Sequence, residues 1–226
     1  MFLPGGSLSG ALLPWILLAP ALPLAAALVK RPSLSISSVS LLLSTLVSLL
    51  IGIFGFLSSN GEAKPALLQF TIFLDTAMAF FLLWLLSNWF RLRQVILAAG
   101  LLFAGVFIAL ALSRAEHWAI SQLTTAGYFA IFLASLAVIL SHMQELTEYI
   151  TRAPAFWISA GICFQYGLTG LLLLMNPHES PEKILSDADF GLMYTIIDTV
   201  RFLFFAIAVF LYRDQSLDLS AKTGKR

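Results

Sequence analysis

Ile196-Ile197-Asp198-Thr199-Val200-Arg201-Phe202 lies deep inside the last long apolar run of the chain and sets an acid and a base three residues apart. On a helix, positions i and i+3 fall on one face, so the two charges can pair. Alone in hydrocarbon each would cost several kcal/mol, and intramembrane charges therefore pair and face the bundle interior. A third charge, Asp75, stands at a matching depth in an earlier apolar run. These residues set the expected fold: all-α, a polytopic membrane bundle of seven transmembrane helices around a buried Asp/Arg cluster.

Composition agrees. Of 226 residues, 59% are hydrophobic and 11% charged, too apolar for an ordinary soluble domain. Apolar stretches of roughly 18 to 23 residues recur along the chain, as helices crossing about 30 Å of hydrocarbon require. The runs are continuous rather than alternating, which excludes a β-barrel. A net charge of +1 with no basic patch argues against nucleic acid. The single cysteine, Cys163, allows neither an intrachain disulfide nor a cysteine-based metal site.

The expected helices cover 11–29, 37–57, 66–88, 94–113, 122–143, 155–175 and 189–212, in one domain spanning 1–212. A short charged tail, 213–226, follows and reads as an irregular segment lying against anionic headgroups. Pro14, Pro20 and Pro23 should kink the first helix. Its alanine-rich end resembles a signal-peptide cleavage site but lacks a basic leader, so it reads as retained. In the second helix, Ser37, Ser40, Ser44, Ser48, Gly52 and Gly55 form a small-residue stripe, and Ser159, Cys163, Gly167 and Gly170 form another in the sixth. Such stripes let helix backbones approach closely in lipid; a polar pathway is the other reading of the first. The fifth helix sets Tyr128, Ser135 and His142 on one face and should continue as a surface helix through Glu145, Glu148 and Tyr149 to Pro154.

Orientation follows from the basic residues of the loops. Nine of them (Lys30, Arg31, Arg91, Arg93, Arg152, Arg213, Lys222, Lys225 and Arg226) fall on one side, and three (Lys64, Arg114 and Lys183) on the other. The richer side should be cytoplasmic, with the N-terminus outside and the C-terminus inside. The third and seventh helices then run the same way, with Asp75 and Asp198 about nine residues in and Arg201 about twelve, which at 1.5 Å per residue agree within a turn. Asp75, Arg201 and Asp198 can meet if those helices are neighbours. Tyr194 shares the Asp198 face, and Gln165 and Tyr166 arrive at a similar level from the sixth helix.

The cluster has a structural reading, in which it fixes which helices meet and in what register. It has a functional one, in which it lines a site for a polar ligand or a moving proton. Arg201 weighs against a proton carrier, because arginine stays charged and holds neighbouring acids ionised. Elsewhere, His142 and Glu145 at i, i+3 could offer two ligands to a metal, though an interface histidine beside solvated acids needs no metal. Glu116-His117 and His178-Glu179 on the outer loops could likewise collect one, but nothing brings them together. No catalytic Ser/His/Asp order, Gly-rich phosphate loop or zinc signature is present. The seventh helix has no lysine for a retinal Schiff base, no pair of intrahelical histidines suits a haem, and the D-R-Y and N-P-x-x-Y patterns of G-protein-coupled receptors are missing.

Three stretches carry a resemblance. Phe70-Thr71-Ile72-Phe73-Leu74-Asp75 is similar to an aromatic-rich third helix with a central acid. Arg152-Ala153-Pro154-Ala155-Phe156-Trp157-Ile158-Ser159-Ala160-Gly161 resembles a P-x-F-W-I-x-x-G entry to a sixth helix, and Ile197-Asp198 through Phe205-Ala206-Ile207-Ala208 a seventh helix with a central polar residue. Together they resemble the small seven-helix integral membrane proteins of Bacteroidetes and related bacteria, mostly of unassigned function. Proximity of some members to histidine-kinase genes implies a sensory role. The resemblance implies Glu and Asn where this chain has Asp75 and Asp198, so the extra acid would balance Arg201.

The expectation is thus a non-enzymatic protein of the bacterial inner membrane, a sensor or a subunit of a membrane complex. With no loop longer than about fifteen residues and no attached soluble domain, its output would pass through another membrane protein or a second copy. The stripes on the second and sixth helices, and the surface helix after the fifth, are the expected contact faces. No cofactor is expected. An intramembrane lipid hydrolase using Asp75 and Asp198 as acid and base is the alternative, as in membrane lysoplasmalogenases, although their motifs are not visible here. A small transporter is third, without visible inverted repeats.

Overall fold

Each apolar run forms a helix, the arrangement that satisfies backbone N–H and C=O groups without water. The computed structural model describes residues 7–30, 36–58, 65–113, 117–145, 150–175 and 187–223. Among them are seven α-helices: α1 (Ser7–Lys30), α2 (Ile36–Ser58), α3 (Pro65–Leu86), α4 (Phe90–Leu112), α5 (His117–Glu145), α6 (Pro154–Met175) and α7 (Asp187–Thr223). Phe90–Leu112, Ala119–Gln144, Pro154–Met175 and Leu192–Leu211 are long and apolar enough to cross a membrane. In the first three helices the described residues include the apolar stretches Leu18–Val29, Ser38–Leu49 and Phe70–Leu86. The outer surface is apolar, with Leu101, Leu102, Leu133, Leu140 and Leu203 all exposed. In water that would be a far larger apolar patch than soluble monomers carry.

Most helix ends fall close to their expected places. Pro65 and Pro154 open α3 and α6 at the first helical position, where the missing N–H costs nothing and the fixed φ suits a helix. α1 continues as one helix through Pro14, Pro20 and Pro23. α4 begins at Phe90, taking in Arg91 and Arg93, which hydropathy alone places outside; the Arg93 guanidinium lies 4.6 Å from the Trp84 ring centroid. Its long stem lets the helix start early while the charge stays near the interface.

Two expectations are corrected. The surface helix expected to reach Pro154 does not do so. α5 is described as far as Glu145; Glu148 and Tyr149 lie outside the described residues, and Ile150–Arg152 makes a 3-10 turn. Pro154 biases Ala153 away from helical backbone, which explains the break. Trp157 Nε1 then donates to the Thr151 carbonyl at 2.7 Å and ties this turn to α6. The stretch read as an irregular tail is helical as far as Thr223, consistent with the helix-forming Arg213, Gln215, Leu217, Leu219, Ala221 and Lys222.

The helices close into a ring. α1 packs against α2 and α7, α2 against α3, α3 against α4 and α5, and α4 against α5; α5 packs against α6, and α6 against α7. α3 also touches α6, and α2 touches α7, so α3 has neighbours on four sides. α4 is peripheral and buries only Ile96, Phe103 and Phe107. Phe73 of α3 stacks on Phe107 at 4.8 Å and on Phe103 at 6.4 Å, holding α4 in place. α3 and α7, the two helices carrying the acids, are not among the closely packed pairs.

Candidate functional site

Half-way along their helices, the polar residues of α2, α3, α6 and α7 converge. Arg201 Nη1 lies 3.1 Å from Asp75 Oδ1, and Nη2 lies 2.7 Å from Asp198 Oδ1. The long arginine side chain therefore does what backbone packing does not, reaching from α7 across the ring to α3. Ser48 of α2 completes the reach: its hydroxyl donates to the Ser44 carbonyl at 3.1 Å and turns its oxygen toward Nη2 at 3.5 Å. The guanidinium carbon sits 4.5 Å from the Phe202 ring centroid and 5.8 Å from that of Phe205. Aromatic faces thus add cation–π attraction to the ion pairs.

The sixth helix supplies the remaining donors. Tyr166 donates through its hydroxyl to Asp75 Oδ2 at 2.8 Å and approaches the Asp75 backbone carbonyl at 3.1 Å. Gln165 Nε2 donates to Asp198 Oδ1 at 3.2 Å. Both oxygens of Asp75 are consequently occupied, one by arginine and one by tyrosine. Asp198 is different: Oδ1 takes two donors, and among the described residues Oδ2 takes none. The buried Gln165 Oε1 and Arg201 Nε also lack a partner among the described residues.

Five of the six residues expected in the cluster (Asp75, Asp198, Arg201, Gln165 and Tyr166) are joined by direct contacts. Tyr194 is half-buried one turn before Asp198 and makes no hydrogen bond to the cluster among the described residues. Ser48, one of the α2 stripe residues, also faces the guanidinium. Tyr128 was placed on the correct face of α5 but not in the cluster; its ring meets Tyr166 edge-on at 5.0 Å. Phe205 carried a signal, since it stands one turn after Arg201 on the same helix. Phe202 follows directly in sequence.

Where they are described, the small-residue stripes pack largely inside the chain. Ser40, Ser44 and Ser159 are buried. At Gly167 a Cβ would lie 2.7 Å from the Phe132 ring of α5, and at Gly170 it would touch Phe129 at 3.4 Å. At Gly167 a side chain would require the Phe132 ring to move, whereas the contact at Gly170 is an ordinary van der Waals distance. Cys163 is partly buried within the same stripe. Gly52 belongs to α2, but its packing falls outside the described residues.

His142 has a structural post. Its Nε2 lies 3.0 Å from the Leu86 carbonyl, which can only accept, so that nitrogen carries the proton. Nδ1 then accepts from Asn88 Nδ2 at 3.1 Å. The ring clamps the α3–α4 corner to the end of α5, and both its nitrogens are engaged. A metal at His142 would have to break this clamp, and the Glu145 side chain lies outside the described residues. Among the described residues no three His, Cys, Asp or Glu side chains gather as metal ligands.

These features define an all-α bundle with several candidate membrane spans and a buried ionic cluster at its centre. No family model matches the chain, and neither the curated proteins nor the solved structures give a match to it.

Proposed function

We propose that the chain is a non-enzymatic seven-helix protein of the bacterial inner membrane, akin to the small Bacteroidetes membrane proteins it resembles. It spans the bilayer seven times, with its N-terminus outside and its C-terminus in the cytoplasm, and acts as a sensor or as a subunit of a membrane complex. The observation behind this reading is that one guanidinium draws on three helices, α2 at Ser48, α3 at Asp75 and its own α7 at Asp198, while Gln165 of α6 holds Asp198. A displacement of any of these helices changes the contacts of the others. Packed interiors respond to such changes by discrete rearrangement, the element a signal-relaying bundle needs.

The lipid-hydrolase alternative requires two acids free to share a water as acid and base. Asp75 has both oxygens taken by Arg201 and Tyr166, which disfavours that dyad.

Purification from native membranes in mild detergent, with identification of copurifying proteins, tests the reading. A reproducible membrane partner or a defined homo-oligomer supports it. A stable, partnerless monomer that turns over lipid and loses this with Asp75→Asn overturns it in favour of the hydrolase.

A further inference from the structure

The cluster is one positive charge short. It holds two carboxylates, Asp75 and Asp198, and a single guanidinium. The other ionisable groups facing it are tyrosines: Tyr166 on α6, Tyr128 on α5 and Tyr194 on α7. α2 has no ionisable residue, and the only one in α1 is its terminal Lys30. No lysine, histidine or second arginine among the described residues reaches the site. Uncompensated charge is what a protein interior tolerates least.

The structure shows where the deficit sits. Asp75 is saturated, with a donor on each oxygen. Asp198 is not, because Oδ2 has no donor among the described residues; in exposure the two acids are alike, 23% for Asp198 and 19% for Asp75. Beside it, Gln165 is 98% buried (2% exposed), gives its amide nitrogen to Asp198 Oδ1, and leaves Oε1 without a partner among the described residues. A buried amide oxygen without a donor is an anomaly that a bound species would resolve. A carboxylate oxygen and an amide oxygen are both acceptors, and on side chains joined by a 3.2 Å hydrogen bond they suit a hard cation and not an anion.

We propose that Asp198 and Gln165 form a binding site for a single monovalent cation, either an alkali ion or a proton. Arg201 touches both acids, at 3.1 Å and 2.7 Å, but its single charge balances only one of them, and the cation at Asp198 balances the second. The inference rests on the membrane reading, since hydrocarbon makes the missing charge costly. It does not depend on whether the protein has a partner, so copurification and ion uptake can fail separately.

The test uses the full chain in lipid nanodiscs. Calorimetric titration with NaCl and KCl against N-methylglucamine chloride detects an alkali ion, and infrared difference spectroscopy at neutral pH detects a protonated carboxyl. The expected result is either one alkali ion bound per chain or one protonated carboxyl per chain. Asp198→Asn should abolish it. Asp75→Asn should abolish it too, because removing the other acid closes the deficit although Asp75 is not the site. Gln165→Leu keeps the charges and should weaken alkali binding roughly tenfold, the loss of one oxygen contact. Saturable alkali binding assigns the ion, and a protonated carboxyl without it assigns the proton. Wild-type protein showing neither overturns the proposal, as does full uptake in Asp75→Asn. If the aspartate variants do not fold, wild type and Gln165→Leu still decide: alkali binding unchanged by Gln165→Leu overturns the site.

Discussion

Arg201 and Asp75 stand 126 residues apart in the chain and 3.1 Å apart in space, on helices that are not closely packed against each other. The contact exists because an arginine stem is long enough to cross the centre of the ring. The centre of this bundle is therefore held by side chains rather than by backbone proximity.

Removing the cation from this arrangement should be severe. Arg201→Ala leaves two acids facing each other and should cost about 3–5 kcal/mol, read as a lower midpoint of unfolding in denaturing detergent. The triple variant Arg201→Met, Asp75→Asn, Asp198→Asn replaces the charges with neutral groups of similar shape and should recover most of that loss. An Arg201→Ala protein as stable as wild type would show that the cluster carries little of the fold.

Tyr166→Phe keeps the ring and its edge contact with Tyr128 while deleting the hydroxyl bond to Asp75. A hydrogen bond to a charged group contributes about 1.5–3 kcal/mol, so stability should fall by that order. In an Asp75→Asn background the same change should cost less, and a double-mutant cycle measures the difference. Equal costs in both backgrounds would mean that the hydroxyl acts elsewhere.

The approach of α6 to α5 gives a steric prediction. Gly167→Ala forces a methyl group against the Phe132 ring, at 2.7 Å before any shift, and should destabilise by about 1–3 kcal/mol. Phe132→Leu should partly relieve it. Additive effects of the two changes would rule out the contact as the cause.

His142→Ala deletes both bonds of the clamp and leaves the Leu86 carbonyl without its side-chain donor, at a cost of about 1–3 kcal/mol. His142→Gln offers one donor and one acceptor in nearly the same places and should retain most of the stability. Hydrogen exchange at 87–90 should accelerate in the alanine variant and stay slow in the glutamine one.

The proposed orientation can be read by labelling single cysteines in a Cys163→Ser background. Ser113 and Arg152 are both exposed, at opposite ends of the bundle. Ser113→Cys should react with an impermeant thiol reagent in intact cells and Arg152→Cys only after lysis. The reverse pattern would invert the topology.

Much of this was legible in the chain. Helix positions follow from apolar runs, because a segment that cannot bond to water must bond to itself, and helix starts at Pro65 and Pro154 follow from proline's fixed φ. The pairing of Asp198 with Arg201 is local, one turn on one helix, and needs no tertiary knowledge. The matching depth of Asp75, Gln165 and Tyr166 could be read from the chain, but their meeting depends on which helices are neighbours, which depth does not give. Ser48 could not be separated from its stripe, since a serine that packs and a serine that faces a cation look alike in sequence. The His142 clamp depends on Asn88 and a backbone carbonyl, and a carbonyl has no letter. The break before Pro154 was hidden by helix-compatible residues on either side.

By itself the sequence determined the class of the molecule and the identity of the buried charges, because hydropathy and charge are properties of residues and add along a chain. The tertiary structure alone decided the order of helices around the ring and the packing of Ser40, Ser44 and the α6 stripe within the chain. It also decided which carboxylate is satisfied and which is left with an open oxygen. Those outcomes depend on distances between helices and on the aim of individual lone pairs, and distances of that kind exist only once the chain has packed.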